Sequence, residues 1–255
     1  MYCLSELYKY HNMIKNKKYE TVTLTPAGIV NLKPCTAGSA PITLNEKALD
    51  IIENCGIPVV NRRLASSVDE ALKLGGEIGY PVVLKISSPD ITHKSDAGGV
   101  KLDIKSEAEL IQAYREMMEA IRIKAPGARV EGILLQKSES EGTEVILGGK
   151  RDPQFGPVLV YGMGGIYAEI MRDVVFRIVP VTHKEAVEMI KETKSYKIIS
   201  GARSKKPGNI EALAQCIVKL GELLCSRPEI TEVDINPLLV KPEECIALDA
   251  RMVIN

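Results

Sequence analysis

Val82-Val83-Leu84-Lys85-Ile86-Ser87-Ser88-Pro89-Asp90-Ile91-Thr92-His93-Lys94-Ser95-Asp96-Ala97-Gly98-Gly99-Val100-Lys101-Leu102-Asp103-Ile104 reads as strand, loop and strand, with the polar chemistry gathered in the loop. Lys85 ends an apolar strand and can carry its ammonium to an anion. The Gly98-Gly99 pair lets backbone N–H groups approach phosphate oxygens with no side chain between. His93 lies between them as the titrating nucleophile nearest to both. Each feature alone is commonplace, since a Lys closing a strand is ordinarily solvated, a Gly pair is ordinarily a turn and a lone His is ordinarily structural. Together at this spacing they read as a phosphate cradle.

Regular patterning surrounds this stretch. Leu44, Ala48, Ile51, Ile52 and Cys55 share one helical face, Gly56 stops that helix, and Ile57-Pro58-Val59-Val60 leads toward a strand. Ser67 with Glu70, and Ser106 with Glu109, have the spacing of capping boxes at two further helix starts. Gly79 ends the first of these helices, and Leu110, Ala113, Met117 and Ile121 form the buried stripe of the second. After Pro126-Gly127, a strand over Val130 to Gln136 meets Lys137, and a polar linker leads to a strand over Thr143 to Leu147.

Two nucleotide signatures are absent. Gly162-Met163-Gly164-Gly165-Ile166-Tyr167 puts Tyr167 where a dinucleotide fingerprint requires its third glycine, and Gly201-Ala202-Arg203-Ser204-Lys205-Lys206 lacks a P-loop ending. Arg172 to Val181 alternates as a strand, His183 to Glu192 reads as a polar helix with His183 at its start, and Asn209 caps a longer helix through Leu213, Ile217, Leu220 and Leu224. Near the end, Asp234 and Asn236 fall on one face of a strand, and Asp249 can join them from a neighbouring one. Carboxylate and amide oxygens suit Mg²⁺, which keeps waters and draws its remaining ligands from phosphates. A lone Asp-x-Asn is otherwise a turn.

Composition bounds the rest. The 255 residues carry 33 basic and 33 acidic side chains, so no overall field recruits nucleic acid or an anionic membrane. Six scattered cysteines without C-x-x-C spacing argue against zinc and against a disulfide scaffold, and point to reduced thiols in a cytoplasmic protein. No apolar stretch reaches the ~20 residues of a membrane span. Residues 1–41 lack a sustained period and read as an N-terminal extension, either a loose tail or a partner-binding arm.

The segment Ser-Pro-Asp-Ile-Thr-His-Lys-Ser-Asp-Ala-Gly-Gly-Val (88–100) resembles the phosphate loop of the nucleotide-binding beta subunit of ADP-forming acetyl-CoA synthetases, within the ATP-grasp superfamily. The Asp234–Asn236 and Asp249 strands resemble that superfamily's magnesium clamp, and the motifs occur in family order from about Leu44 to Arg251. The resemblance implies an α+β ATP-grasp fold of two subdomains, 42–136 and 137–255, with nucleotide in the cleft between them. It implies Asn236 and Asp249 as Mg²⁺ ligands with Asp234 in support, and Lys85, Gly98 and Gly99 on ATP or ADP phosphates. Gln136 and Lys137 would lie in the linker beside adenine, where many members carry Glu in place of Lys137. Glu144 would meet the nucleotide sugar, or be a solvated strand carboxylate, and His93 would be catalytic. The implied reaction converts acyl-CoA, ADP and phosphate to carboxylate, ATP and CoA through an acyl phosphate and a phosphohistidine. CoA and the acyl group would then be held mainly by a CoA-binding alpha subunit, in a heterotetramer. Other readings are a nucleotide-sensing module of a larger acyltransferase and a succinyl-CoA synthetase-type beta subunit.

Overall fold

The computed structural model describes residues 41–91, 94–139, 141–164, 173–201 and 206–255. From its first described residue run β1 (Ile42–Leu44), α1 (Glu46–Asn54), β2 (Arg62–Ala65), α2 (Val68–Ile78), β3 (Val82–Ser87), β4 (Val100–Ile104), α3 (Glu107–Lys124) and β5 (Gly132–Lys137). There follow β6 (Thr143–Asp152), β7 (Gly156–Met163), β8 (Val174–Ile178), α4 (His183–Glu192), the short α5 (Ser195–Ile199) and α6 (Ile210–Ser226). The chain closes with β9 (Ile230–Val240), β10 (Cys245–Ala247) and β11 (Ala250–Ile254). The mixture is α+β, as the sequence predicts.

Two antiparallel sheets organise these elements. The smaller has the order β2-β5-β3-β4. Side chains alternate along a strand, so Val82, Leu84 and Ile86 of β3 and Ile133 and Leu135 of β5 face one way and are buried. Against them lie the predicted stripe of α3 (Leu110, Ala113, Met117, Ile121) and Ala71 of α2. Burying each large aliphatic side chain there contributes about 1.5–3 kcal/mol. The same alternation sends Lys85 and Gln136 to the opposite face, and Lys85 stands in register with Leu134 and Val100.

Both predicted capping boxes form with a shift of one residue. Ser67 and Ser106 accept from the backbone N–H groups of Glu70 and Glu109, while those carboxylates reach back to the N–H groups of Ser66 and Lys105, one residue before each cap. A reciprocal box forms instead at α4, between Thr182 and Glu185, and makes His183 the first helical residue rather than the cap.

The larger sheet has the order β1-β11-β9-β6-β7-β8, with β10 alongside β9. The Leu213, Ile217, Leu220 and Leu224 face of α6 is buried where that helix packs on β6 and β7. Leu44 belongs to β1 rather than to the first helix, and β1 pairs with β11. Residues 42–44 therefore join the larger sheet, although they precede every strand of the smaller one.

One irregularity of this sheet positions the site. β9 pairs with β11 through Ile235 and with β10 from Leu238 onward, and Asn236-Pro237 lies between. Proline cannot donate to a ladder, so in a central strand it marks a break. Opposite it, the chain leaves β10, turns through Leu248-Asp249 and enters β11, closed by Asn236 N–H to Asp249 O (3.1 Å) and Leu248 N–H to Pro237 O (3.0 Å). The sequence predicts Asp249 within a strand, whereas it occupies the turn between two strands.

Candidate nucleotide and metal site

Strand alternation puts Asp234 and Asn236 on one face of β9, and the Asn236-Pro237 break brings Asp249 beside them. These three line a cavity of about 310 Å³, whose other walls are Lys94, Ser95, Asp96 and Val100 from the phosphate loop, Ala250 and Arg251 from β11, and Asn45. The size lies within the ~300–1,000 Å³ usual for small-molecule sites. Asp234 is half-buried, and its carboxyl is raised above the ordinary carboxylate range, first by burial, then by Glu232 and Asp249, against the opposing Arg251. A buried carboxylate beside like charges is stabilised by a cation.

Lys85 reaches this cluster from the smaller sheet. Its Nζ donates to Leu248 O (3.0 Å) and to Asp249 Oδ2 (3.1 Å), while Asp249 Oδ1 accepts from the Ala250 N–H (2.9 Å). Gln136, almost fully buried, donates from Nε2 to the same Leu248 O (3.2 Å). Lys85, Gln136 and Asp249 are thus brought together across the two sheets.

The glycines act differently from the sequence expectation. Gly98 N–H donates to Ser95 O (3.0 Å) and Gly99 N–H to Lys94 O (2.7 Å), so both amides close the loop itself instead of pointing to a phosphate. Gly98 has φ of +78°, and a Cβ on Gly99 would lie 2.3 Å from Ile86 Cγ2. Their absence of side chains serves the loop's turn and its packing on β3.

Lys137 is similarly committed. Its Nζ donates to Gly79 O (2.7 Å) and Tyr80 O (3.2 Å), at the carbonyl end of α2, and its N–H donates to Asn61 O (2.9 Å). A cation there complements the helix dipole. Glu144 is exposed on β6 opposite Leu239 and does not line the 310 Å³ cavity. His93 lies outside the described residues, as do Arg203 and Gly165 to Arg172. His183 pairs with Glu211 (3.0 Å) on the surface, a structural role.

Three cavity residues carry no signal strong enough for sequence reasoning to single out. Lys94 follows His93 directly and pairs with Glu46 of α1 (2.8 Å), Arg251 stands in register with Asp234, and Asn45 precedes α1. Arg251 could have been found from Asp234, because cross-strand partners share a face. The Lys94–Glu46 pair depends on tertiary contact alone. Among the described residues, no group of three or more His, Cys, Asp or Glu side chains could hold a metal ion, so Asp234, Asn236 and Asp249 offer part of a coordination shell rather than a full protein cage. The described cysteines, at 55, 216, 225 and 245, are all free.

Two sheets with a lysine from one meeting a carboxylate at the break in the other define a nucleotide-binding architecture, and residues 37–254 match the ATP-grasp domain model: the chain belongs to the ATP-grasp family. It is 50% identical over 208 residues to acetate–CoA ligase (ADP-forming) I subunit beta of Pyrococcus furiosus, covering 82% of this chain and 90% of that one. It is 45% identical over 209 residues to acetate–CoA ligase (ADP-forming) I of Archaeoglobus fulgidus, 82% of this chain but 30% of that longer protein. Among solved structures, it is similar to a dinucleotide-forming acetyl-coenzyme A synthetase 1 of Ca. Korarchaeum cryptofilum. Its complex with coenzyme A, Ca-AMPCP and HgCl⁺ superposes with a TM-score of 0.81 at 43% identity, covering 86% of this chain and 95% of that one. A complex of the same protein with coenzyme A and Mg-AMPPCP, its phosphohistidine segment pointing towards the nucleotide binding site, gives a TM-score of 0.73 at 42% identity, covering 83% and 92%.

Proposed function

We propose that this chain is the nucleotide-binding subunit of an ADP-forming acyl-CoA synthetase, an acid–thiol ligase that converts acyl-CoA, ADP and phosphate to carboxylate, ATP and CoA. The observation that carries this reading is the convergence of Asp234, Asn236 and Asp249 on one cavity walled by Lys94, Ser95 and Asp96, with Lys85 of the smaller sheet bonded to Asp249. Identity of 50% to an acetate–CoA ligase subunit beta supports the acyl group being acetate. Relatives named as beta subunits support a partner that supplies the CoA and acyl site, and a heterotetramer is the assembly proposed here.

The donor set fits Mg²⁺: hard oxygens from Asp249 and Asn236, with Asp234 in support and room for phosphate ligands. When bound, Mg²⁺ would offset negative charge on the transferring phosphoryl group. The chain's own residues do the rest. Lys85 offers an ammonium on Asp249, Lys94 and Arg251 add positive charge to the cavity wall, and Gln136 holds the Leu248 peptide that precedes Asp249. In this proposal His93 carries or orients phosphate, since an imidazole with a pKa near ~6.5 is largely neutral and nucleophilic at neutral pH. Its sequence neighbour Lys94 lines the cavity, which supports that role. Glu144 on the nucleotide sugar and the linker backbone at Gln136-Lys137 beside the base complete the proposal, with residues 42–136 and 137–255 as the two subdomains except that β1 pairs into the larger sheet.

Calorimetric titration with Mg-ADP tests the assignment. Asp249→Ala is expected to bind at least ~10–100-fold more weakly than the wild type, the cost typical of losing even a supporting group at a metal site. Equal affinity would overturn it.

A further inference from the structure

Among the described residues Lys85 makes two polar contacts, and both are on Leu248-Asp249. Its ammonium donates to Leu248 O at 3.0 Å and to Asp249 Oδ2 at 3.1 Å, with the side chain only 11% exposed. The contact joins the face of the smaller sheet turned away from α2 and α3 to the break in the larger one. It also ties together two groups with competing demands. The Asp249 oxygen that would ligate a cation already accepts from a cation, and the ammonium that would meet a phosphate already donates to a carboxylate. An ammonium and a divalent ion on one carboxylate oxygen repel each other strongly at a half-buried site.

We infer that Lys85 is a latch on Asp249: it occupies the carboxylate until a nucleotide phosphate draws the ammonium away, so the site takes a divalent cation together with nucleotide and not before it. This rests on the nucleotide-site reading above and adds to it an order of binding. The exchange does not require a bare ammonium. Two of the three N–H groups on Lys85 are engaged among the described residues, which leaves the third to meet a phosphate before either bond breaks. Gln136 donates to the same Leu248 carbonyl at 3.2 Å, which keeps the Leu248-Asp249 turn in place when Lys85 leaves. Arg251 provides an internal comparison. It lines the cavity beside Asp249 and lowers the Asp234 carboxyl, but its partner side chain among the described residues is Glu232 (3.4 Å), so it adds charge without closing on Asp249.

Binding of Mn²⁺ alone, followed by electron paramagnetic resonance of the free ion, separates a latch from general charge. The wild type is expected to bind Mn²⁺ at least about tenfold more weakly without ADP than with it, a coupling of ordinary size for linked sites. Lys85→Met keeps an unbranched side chain of similar length, and is expected to bind Mn²⁺ alone at least about tenfold more tightly than wild type. Arg251→Gln, which removes a charge but no latch, is expected to change that affinity less than Lys85→Met. Equal gains in the two variants would reduce the effect to bulk charge and overturn the latch. So would a wild type that binds Mn²⁺ equally well with and without ADP, a measurement independent of how the variants fold. If Mn-ADP binds the wild type and Asp249→Ala equally, it is the site assignment that fails; if that assignment holds and Lys85→Met leaves Mn²⁺ affinity unchanged, only the latch fails.

Discussion

Gly99 shows how a residue type can be read correctly and its purpose missed. The sequence marks it as a place where backbone must come close to something, and that is so. The close approach is to Ile86 Cγ2 and Lys94 O rather than to a ligand, and the amide that the sequence assigns to phosphate closes the loop onto Lys94. Loop and strand are therefore locked by Gly99 N–H to Lys94 O on one side and Ile86 N–H to Gly99 O (2.7 Å) on the other. Gly99→Ala puts a methyl group into occupied space, and overpacking of this kind costs about 1–3 kcal/mol. For a chain of this size each kcal/mol lowers Tm by roughly 2–4 °C, so a drop of several degrees by calorimetry is expected. Because Lys94, Ser95 and Asp96 wall the cavity, Mg-ADP affinity should fall in parallel. An unchanged Tm would mean that the loop is not anchored through this glycine.

At the scale of elements, periodicity and capping were legible because they are local. The four-residue stripe of α3, the apolar face of α6 and the β3 strand before the loop are set by spacing that any window of sequence displays. What could not be read depends on chain segments far apart. The turn at Leu248-Asp249 exists because Pro237 interrupts the ladder eleven residues earlier, and Lys85 meets Asp249 across a separation of 164 residues. Lys137 is the sharpest case: a cation at a strand end beside a nucleotide linker suggests a ligand contact, yet the side chain turns to the Gly79 and Tyr80 carbonyls just past the end of α2, 58 and 57 residues upstream. Lys137→Met should therefore cost stability and spare binding. A loss of about 1–2 kcal/mol is expected in denaturant unfolding, from two charge-assisted hydrogen bonds at a helix C-terminus partly replaced by water. Mg-ADP affinity should stay within about twofold of wild type, and a tenfold loss with normal stability would return Lys137 to the nucleotide.

The same distinction holds for Thr182. Its hydroxyl and the Glu185 carboxylate satisfy each other's backbone donors at the start of α4, which packs on α6, β7 and β8, and neither residue lines the cavity. Thr182→Ala removes one half of that reciprocal cap. About 1 kcal/mol of stability should be lost in thermal unfolding with no change in Mg-ADP affinity. A change in affinity would show that α4 communicates with the site.

At the scale of the whole molecule, the two sheets supply one half of the chemistry that the proposed reaction needs. The described residues bring Lys94, Arg251 and the oxygen donors Asp234, Asn236 and Asp249 to one cavity, with Lys85 on Asp249, a set suited to Mg-nucleotide. Cleaving an acyl thioester also requires a site that holds CoA and positions phosphate against the acyl carbon, and effective positioning of two reactants is worth ~10⁵ M or more in effective concentration. The relatives divide that work in two ways: in Pyrococcus furiosus a chain of nearly this extent is a separate beta subunit, whereas in Archaeoglobus fulgidus the matching segment is 30% of a longer ligase. The polypeptide studied alone is accordingly expected to bind Mg-ADP but to release no free thiol from acetyl-CoA in the presence of phosphate and Mg²⁺. Thiol release is read with a chromogenic disulfide, against a background set by the exposed Cys225 and any reactive thiol among the residues not described, so only release beyond the chain's own six cysteines counts as turnover. Adding the CoA-binding partner should start turnover, and His93→Ala assayed in that complex should abolish phosphoryl transfer to ADP while leaving Mg-ADP binding intact. Multiple turnovers by the isolated chain would show that it carries the acyl site itself, and the division of labour proposed here would fall.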